Sequence, residues 1–418
     1  MYRKITLKNN IPVVIETTND VRSACIGIWV KAGARNEAIE KNGISHFLEH
    51  MFFKGTNSLT SKDIAMEIDS IGGELNAFTS CENTTFYIKV LDEYLDKALE
   101  LLTDIFLNST FQEAEIEKEK GVITEEINMV EDTPSDYIHE LFSKSIWGDA
   151  GPGLSVLGRK EVVESFKRDD MLNHIQKYYG TENIIISCSG NLKVDAMIDR
   201  LNSGLGSLKR SSQMTSLSLP EFRSRLNIVP KELSETHICL GLKGIPYGSD
   251  DRYSMYLLNT ILGAGFSSRL FQEVREKRGL AYSIYSFNQP YFDTALWGVY
   301  AGTEKRHVRE VIGIIASEIR GLSDSISDDE LRRAKNQLKG SLILALESTS
   351  TKMSNLAKQE IYYGRYFSPE EIIKAVEAVT LADLRSLSKR LAGDNPFAMT
   401  IYGNVREEDI NYLNTLQQ

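Results

Sequence analysis

Residues 23–33, SACIGIWVKAG, and residues 236–248, THICLGLKGIPYG, decide how this chain is read. Both alternate apolar with small residues, both are rich in strand formers, and both run out on a glycine. The segments after them are alike in kind. After the first come helix-like GISHFLEHMFF (43–53), then DIAMEIDSIGGEL (63–75) with its Gly-containing turn, then a strand pattern, NAFTSCENTTFYIKV (76–90). After the second come RYSMYLLNTILGAG (252–265), SRLFQEVREKRGL (268–280) and AYSIYSFNQPYFDTALWGVYAG (281–302). Long helical patterns close both series, 91–106 and 114–130 against 310–322 and 328–347. Ahead of the first series, ITLKNNIPVVIET (5–17) reads as two strand runs around an Asn-Asn turn. The layout predicts an α+β chain of two similar domains in tandem, each a mostly antiparallel sheet packed with helices, facing each other across a cleft. The seam falls in SGLGSLKRSSQMTSLSLPEF (203–222), which is Ser-rich and weakly periodic. The expected boundaries are 1–205, a linker at 206–222, and 223–418. Clefts between domains are common binding sites.

The composition narrows the function classes. Of the 418 residues, 42% are hydrophobic and 25% charged, an ordinary globular balance that allows a large core. Lys+Arg at 48 against Asp+Glu at 58 leaves a net charge of −10 without a basic cluster, which argues against nucleic acid or an anionic membrane as a partner. Cys25, Cys81, Cys188 and Cys239 lie far apart with no CxxC pair. That spacing speaks against a Cys-based zinc module or a disulfide framework and fits a reducing compartment. The first twenty residues hold no apolar run long enough for a secretory signal or a membrane helix, so a soluble, cytoplasmic protein is expected. GAGFSS (263–268) lacks GxGxxG spacing and follows a helical pattern, and no GxxxxGK[ST] loop occurs, so a nucleotide-binding reading fails.

The chemistry concentrates in His46-Phe47-Leu48-Glu49-His50. On a helix, residues four apart share a face, so the imidazoles of His46 and His50 can hold one metal ion. Glu49 projects beside that ion, where a carboxylate can take a proton from metal-bound water. A catalytic zinc site wants a third protein ligand. The helix expected over Glu115–Val130 supplies it: at about 100° per residue, Ile116, Ile123, Ile127 and Val130 share an arc of about 60°. Glu119 and Glu126 lie at the edge of that stripe, and Glu125 points roughly opposite, to solvent. A carboxylate on a core-facing side is costly unless paired or metal-bound. Glu126 is therefore the expected third ligand, and Glu119 a carboxylate that orients a histidine. In the second half, YLLNTILGAG and Gly340-Ser341-Leu342 stand at the corresponding places without ligands, so one zinc per chain is expected. His139, His174, His237 and His307 have no partner at ligand spacing and read as structural or surface residues.

With these residues in view, the chain resembles the pitrilysin-type (inverzincin, M16) zinc peptidases, whose inverted motif is H-x-x-E-H. The closest resemblance is to the subgroup that includes the mitochondrial processing peptidase β subunit and its bacterial relatives. It covers nearly the whole chain through GISHFLEHMFFKGT, IGGELNAFTSCENTTFY, EKGVITEEINMVEDTPSDYIHE and SSRLFQEVREKRGLAYSIYS. The resemblance implies His46, His50 and Glu126 as zinc ligands, Glu49 as general base, and Glu119 as a supporting carboxylate. It further implies that Asn76 and Ala77 lie on an edge strand that holds a substrate backbone by strand addition. Arg275 and Tyr282 match a pair from the second domain that stabilises the oxyanion and grips peptide carbonyls. The expected activity is a zinc endopeptidase that hydrolyses peptides or unfolded segments in a closed chamber, as a homodimer. The alternatives are a non-catalytic scaffold or partner subunit of the same fold, and a processing subunit that needs a different partner chain.

Overall fold

The computed structural model describes residues 1–211 and 221–405; most of the expected linker, residues 212–220, lies outside the described residues. Strands β1 (Tyr2–Thr6), β2 (Pro12–Thr17), β3 (Ser23–Val30), β4 (Glu74–Thr79), β5 (Thr84–Leu91) and β6 (Ile184–Gly190) form a sheet of order β1-β2-β6-β3-β5-β4. Strands β7 (Leu226–Pro230), β8 (Thr236–Lys243), β9 (Ala281–Pro290), β10 (Ala295–Thr303) and β11 (Ala398–Gly403) form a second, of order β7-β11-β8-β10-β9. Without β1, the two sheets match strand for strand. Each has one parallel pair, β2 with β6 and β7 with β11, among antiparallel neighbours. The repeat seen in the sequence is thus a repeat of topology, and the fold is α+β in two domains. Two stretches read as single strands are hairpins: 76–90 holds β4 and β5, and 281–302 holds β9 and β10.

Strands β3 and β8, which come from SACIGIWVKAG and THICLGLKGIPYG, are interior and buried on both faces. Their alternation is therefore one of size, and the small residues mark where a helix comes close. In the first unit, helix Thr349–Tyr363 packs on β2, β3 and β6. There Met353 Sδ accepts from Trp29 Nε1 at 3.3 Å, and a Cβ on Gly27 would meet that sulfur at 2.6 Å. The helices α1 (Ile44–Met51), α2 (Ser61–Ser70), α3 (Leu95–Asn108) and, up to Met129, α4 (Glu113–Glu131) belong to the same unit, and α1 and α3 pack on its sheet. In the second unit, α5 (Pro134–Trp147) packs on β8 and β11, and helix Val308–Ser325 on β8 and β10.

The compact units are consequently not two continuous halves. One comprises Met1–Met129, Asp149–Ser218 and Ala345–Tyr366; the other comprises Val130–Gly148, Leu219–Leu344 and Phe367–Gln418. Relative to the boundaries 1–205 and 223–418, α5 and helix Thr349–Tyr363 change sides. The reason is the double burial of each sheet. A two-faced sheet needs a helix on each side, and sequence order does not say which part of the chain provides it.

Candidate metal centre

The histidine helix α1 is only eight residues long and is fixed at its start by side chains outside it. Gly43 precedes it at φ 98°, and a Cβ there would meet the carbonyl oxygen of Leu157 at 2.6 Å, so only glycine fits. Glu37 then caps the orphan amides: its Oε2 accepts from Gly43 N at 2.7 Å and from Asn42 Nδ2 at 2.9 Å, and its Oε1 from Ser45 N at 2.8 Å. Ser45 Oγ in turn lies 3.3 Å from Nε2 of buried His174. Ile44, Phe47, Leu48 and Met51 are sunk in the core, which leaves the helix one orientation.

On this helix the rings of His46 and His50 stand 4.6 Å apart, centre to centre. From α4, Glu126 Oε2 lies 3.6 Å from His46 Nε2 and 3.7 Å from His50 Nε2. These separations exceed a hydrogen bond, and the three ligand atoms lie within 4.8 Å of one another. Atoms held about 2.0–2.1 Å from a common tetrahedral zinc are about 3.4 Å apart, so the donor set fits the ion. The chemistry of the donors fits too. Burial first, then the neighbouring His50, pulls His46 down to about 3, so its imidazole is neutral and keeps a lone pair. Among the described residues, this is the one group of three or more such donors close enough to share an ion.

Behind the ligands, Glu119, at the edge of the apolar stripe of Ile116, Ile123 and Ile127, is as buried as they are, at 3% exposed. Its Oε1 accepts from His50 Nδ1 at 2.8 Å and its Oε2 from Lys54 Nζ at 2.6 Å. A carboxylate can only accept, so His50 carries its proton on Nδ1 and leaves Nε2 free to bind. Burial pushes the Glu119 carboxyl up, but the bonds from His50 and Lys54 outweigh it and hold the group below its usual value. Glu49 behaves differently. Burial lifts its carboxyl above the ordinary range, against a 2.5 Å hydrogen bond that Oε2 accepts from Thr79 Oγ1 and against the nearby His50.

Glu125, Asn76 and Ala77 lie in the first unit, Arg275 and Tyr282 in the second. Glu125 is exposed, as the helical phase required. Asn76 and Ala77 lie on β4, an edge of the first sheet, and Ala77 N donates to Asn76 Oδ1 at 2.8 Å. In the second unit, the Arg275 guanidinium stacks 4.6 Å over the ring of Tyr282, which is 78% exposed at the start of edge strand β9. His139 Nε2 lies 2.9 Å from Tyr285 Oη and His237 Nδ1 2.9 Å from Tyr300 Oη, both structural contacts. Reading the sequence missed Glu37, Lys54 and Thr79. Lys54, four residues beyond His50, and Thr79, inside the LNAFTS segment, were visible there, but nothing local names their partners.

The comparisons with known proteins bear on this site. The description "Insulinase (Peptidase family M16)" matches residues 12–160, and "Peptidase M16 inactive domain" matches residues 165–338. The chain belongs to peptidase family M16. An uncharacterised zinc protease of Bacillus subtilis, YmxG, is 42% identical over 94% of this chain and 96% of its own length. An uncharacterised zinc protease of Streptomyces coelicolor is 35% identical over 98% of this chain and 91% of its own. Among solved structures, a Pseudomonas fluorescens chain described as a peptidase M16 inactive domain has a TM-score of 0.91 at 17% identity, covering 97% of this chain and 98% of that one. A chain of complex III2 from Candida albicans has a TM-score of 0.86 at 22% identity, covering 99% and 98%. At those identities the fold is what is shared. Catalytic capacity has to be read from the side chains of the M16 site itself.

Proposed function

We propose that this M16 chain is a zinc-dependent endopeptidase acting on peptides or unfolded segments. One observation carries the reading: two neutral-capable imidazole nitrogens and one carboxylate oxygen, 3.6 and 3.7 Å apart across α1 and α4, with Glu49 one residue from a ligand. A zinc ion held there supplies Lewis acidity and brings the pKa of water down to about 7. Glu49 is suited to take a proton from water and pass it to the departing amine, because burial raises its carboxyl above the ordinary range. Glu119 keeps His50 in the binding tautomer. The edge position of β4 supports Asn76 and Ala77 as a rail for an extended peptide backbone. On the resemblance, Tyr282 and Arg275 are proposed as donors to the developing oxyanion and the peptide carbonyls; Tyr282 is exposed, and the Arg275 guanidinium lies over its ring. Homodimer assembly belongs to the same proposal and rests on the resemblance to subgroup members that pair.

The test combines metal content per chain with cleavage of a quenched fluorescent peptide, wild type beside Glu49→Gln. The expected result is about one zinc per chain in both proteins and a loss of turnover of about 10²–10⁴-fold in the variant. Zinc without cleavage of any unfolded peptide would favour a partner-binding role on the same fold, and full cleavage by the variant would remove Glu49 from the mechanism.

A further inference from the structure

Thr79 has a donor aimed at the reacting carboxylate and no role in the family resemblance. It ends β4, where it pairs with Thr84 of β5. The chain beyond it is tied at once: Ser80 N donates to Asn83 O at 2.8 Å, and Thr84 Oγ1 to Ala32 O at 2.9 Å. The donor is therefore fixed by a hairpin, while its acceptor is a glutamate with three side-chain torsions on a different element. The bond between them, Thr79 Oγ1 to Glu49 Oε2 at 2.5 Å, has the short length of a hydroxyl bound to a carboxylate. Helix α1 packs on β4 along the same contact.

We propose that Thr79 is the positioning residue of the general base: its hydroxyl clamps Oε2 of Glu49 so that Oε1 is the atom presented for proton transfer. The inference rests on the peptidase reading and deepens it. The Thr79 proton stays on its own oxygen throughout; the proton that moves goes from water to Oε1 and then to the leaving amine. Because Asn76, Ala77 and Thr79 share one edge strand, three residues or about 10 Å of β4 set the distance from peptide rail to base clamp. A peptide added to that edge would thus be registered against Glu49 by the strand itself.

The experiment compares Thr79→Val, which keeps the branched shape and removes the hydroxyl, with Thr79→Ser, which keeps the hydroxyl. Each is assayed for zinc affinity, kcat and KM, alone and with Glu49→Gln. A base displaced by about 1 Å costs up to 10²-fold, so Thr79→Val should lower kcat at least about tenfold with KM and zinc affinity within about twofold of wild type. Thr79→Ser should recover kcat to within about threefold, and Thr79→Val should cost nothing further when Glu49 is already Gln. Unchanged kcat in Thr79→Val, or a serine variant as impaired as the valine one, overturns the proposal. A crystal structure of metal-free Thr79→Val decides the clamp without activity: Glu49 spread over several rotamers supports it, and Glu49 in its original rotamer overturns it. If the wild type cleaves no peptide the peptidase reading falls, and if Glu49→Gln cleaves normally Glu49 leaves the mechanism; in either case the crystallographic arm alone still decides whether Thr79 holds Glu49.

Discussion

Replacing Glu119 by Gln isolates the support behind the metal ligands without changing their number. The carboxylate serves two donors at once, His50 Nδ1 at 2.8 Å and Lys54 Nζ at 2.6 Å. A glutamine has one acceptor oxygen, and its amide hydrogens face whichever donor is left. If the oxygen stays with Lys54, His50 loses the bond that fixes its tautomer, and loss of such support costs about 10–100-fold in metal affinity, or about 1.4–2.7 kcal/mol. If the oxygen stays with His50, the amide meets an ammonium, and the imidazole has still lost a charged acceptor for a neutral one of about half the strength. The fold is weakened as well. Breaking a fully buried ion pair costs about 3–5 kcal/mol. Here Glu119 keeps 4% of its side chain exposed but Lys54 keeps 28% and can turn to water, which brings the cost to about 1–3 kcal/mol. Zinc affinity measured by competition with a chromophoric chelator, and thermal unfolding of the metal-free protein, read the two effects separately. A zinc affinity within about twofold of wild type would refute the reasoning that Glu119 prepares His50 for the metal.

The helical phase of α4 is tested by a pair of neighbours: Glu126→Gln weakens metal binding while Glu125→Gln, exposed, leaves it within about twofold, and equal effects would mean the face is misassigned. His174 gives a signature in acid. Burial, with a smaller push from Lys177, pulls it down to about 3, so between its unfolded value near 6.5 and about 3 the unfolded chain binds a proton that the folded chain refuses. Its contribution is fully present above pH 6.5 and is lost as pH falls, at up to about 1.4 kcal/mol per pH unit. Denaturant unfolding of metal-free His174→Phe and wild type at pH 7.5 and 5 should therefore converge towards acid; a constant difference between them would refute the assignment.

Much of this protein was legible in the sequence because its signals are local. The repeat of SACIGIWVKAG in THICLGLKGIPYG announced two like sheets, and the i, i+4 spacing of His46 and His50 needs only a helix to bring two rings together. Glu126 and Glu119 followed from helical phase, since a carboxylate turned towards apolar neighbours has to be paired. Even there the phase was good only to an edge: Glu119 is as buried as the isoleucines beside it, because His50 and Lys54 satisfy both its oxygens.

Other features depend on contacts between distant segments, and composition cannot encode them. The two helices that change sides, α5 and Thr349–Tyr363, carry nothing in their own sequence that names the sheet they cover; the packing of Met353 against Trp29 and Gly27 assigns the latter to the first sheet. Glu37 as the cap of α1, Lys54 on Glu119 and Thr79 on Glu49 are single hydrogen bonds or ion pairs, each a matter of a few tenths of an ångström. Periodicity fixes which face of an element turns inward, because burying apolar area is non-directional and tolerates small shifts. A hydrogen bond is short-ranged and angular, so its partner is decided only when the whole unit has packed.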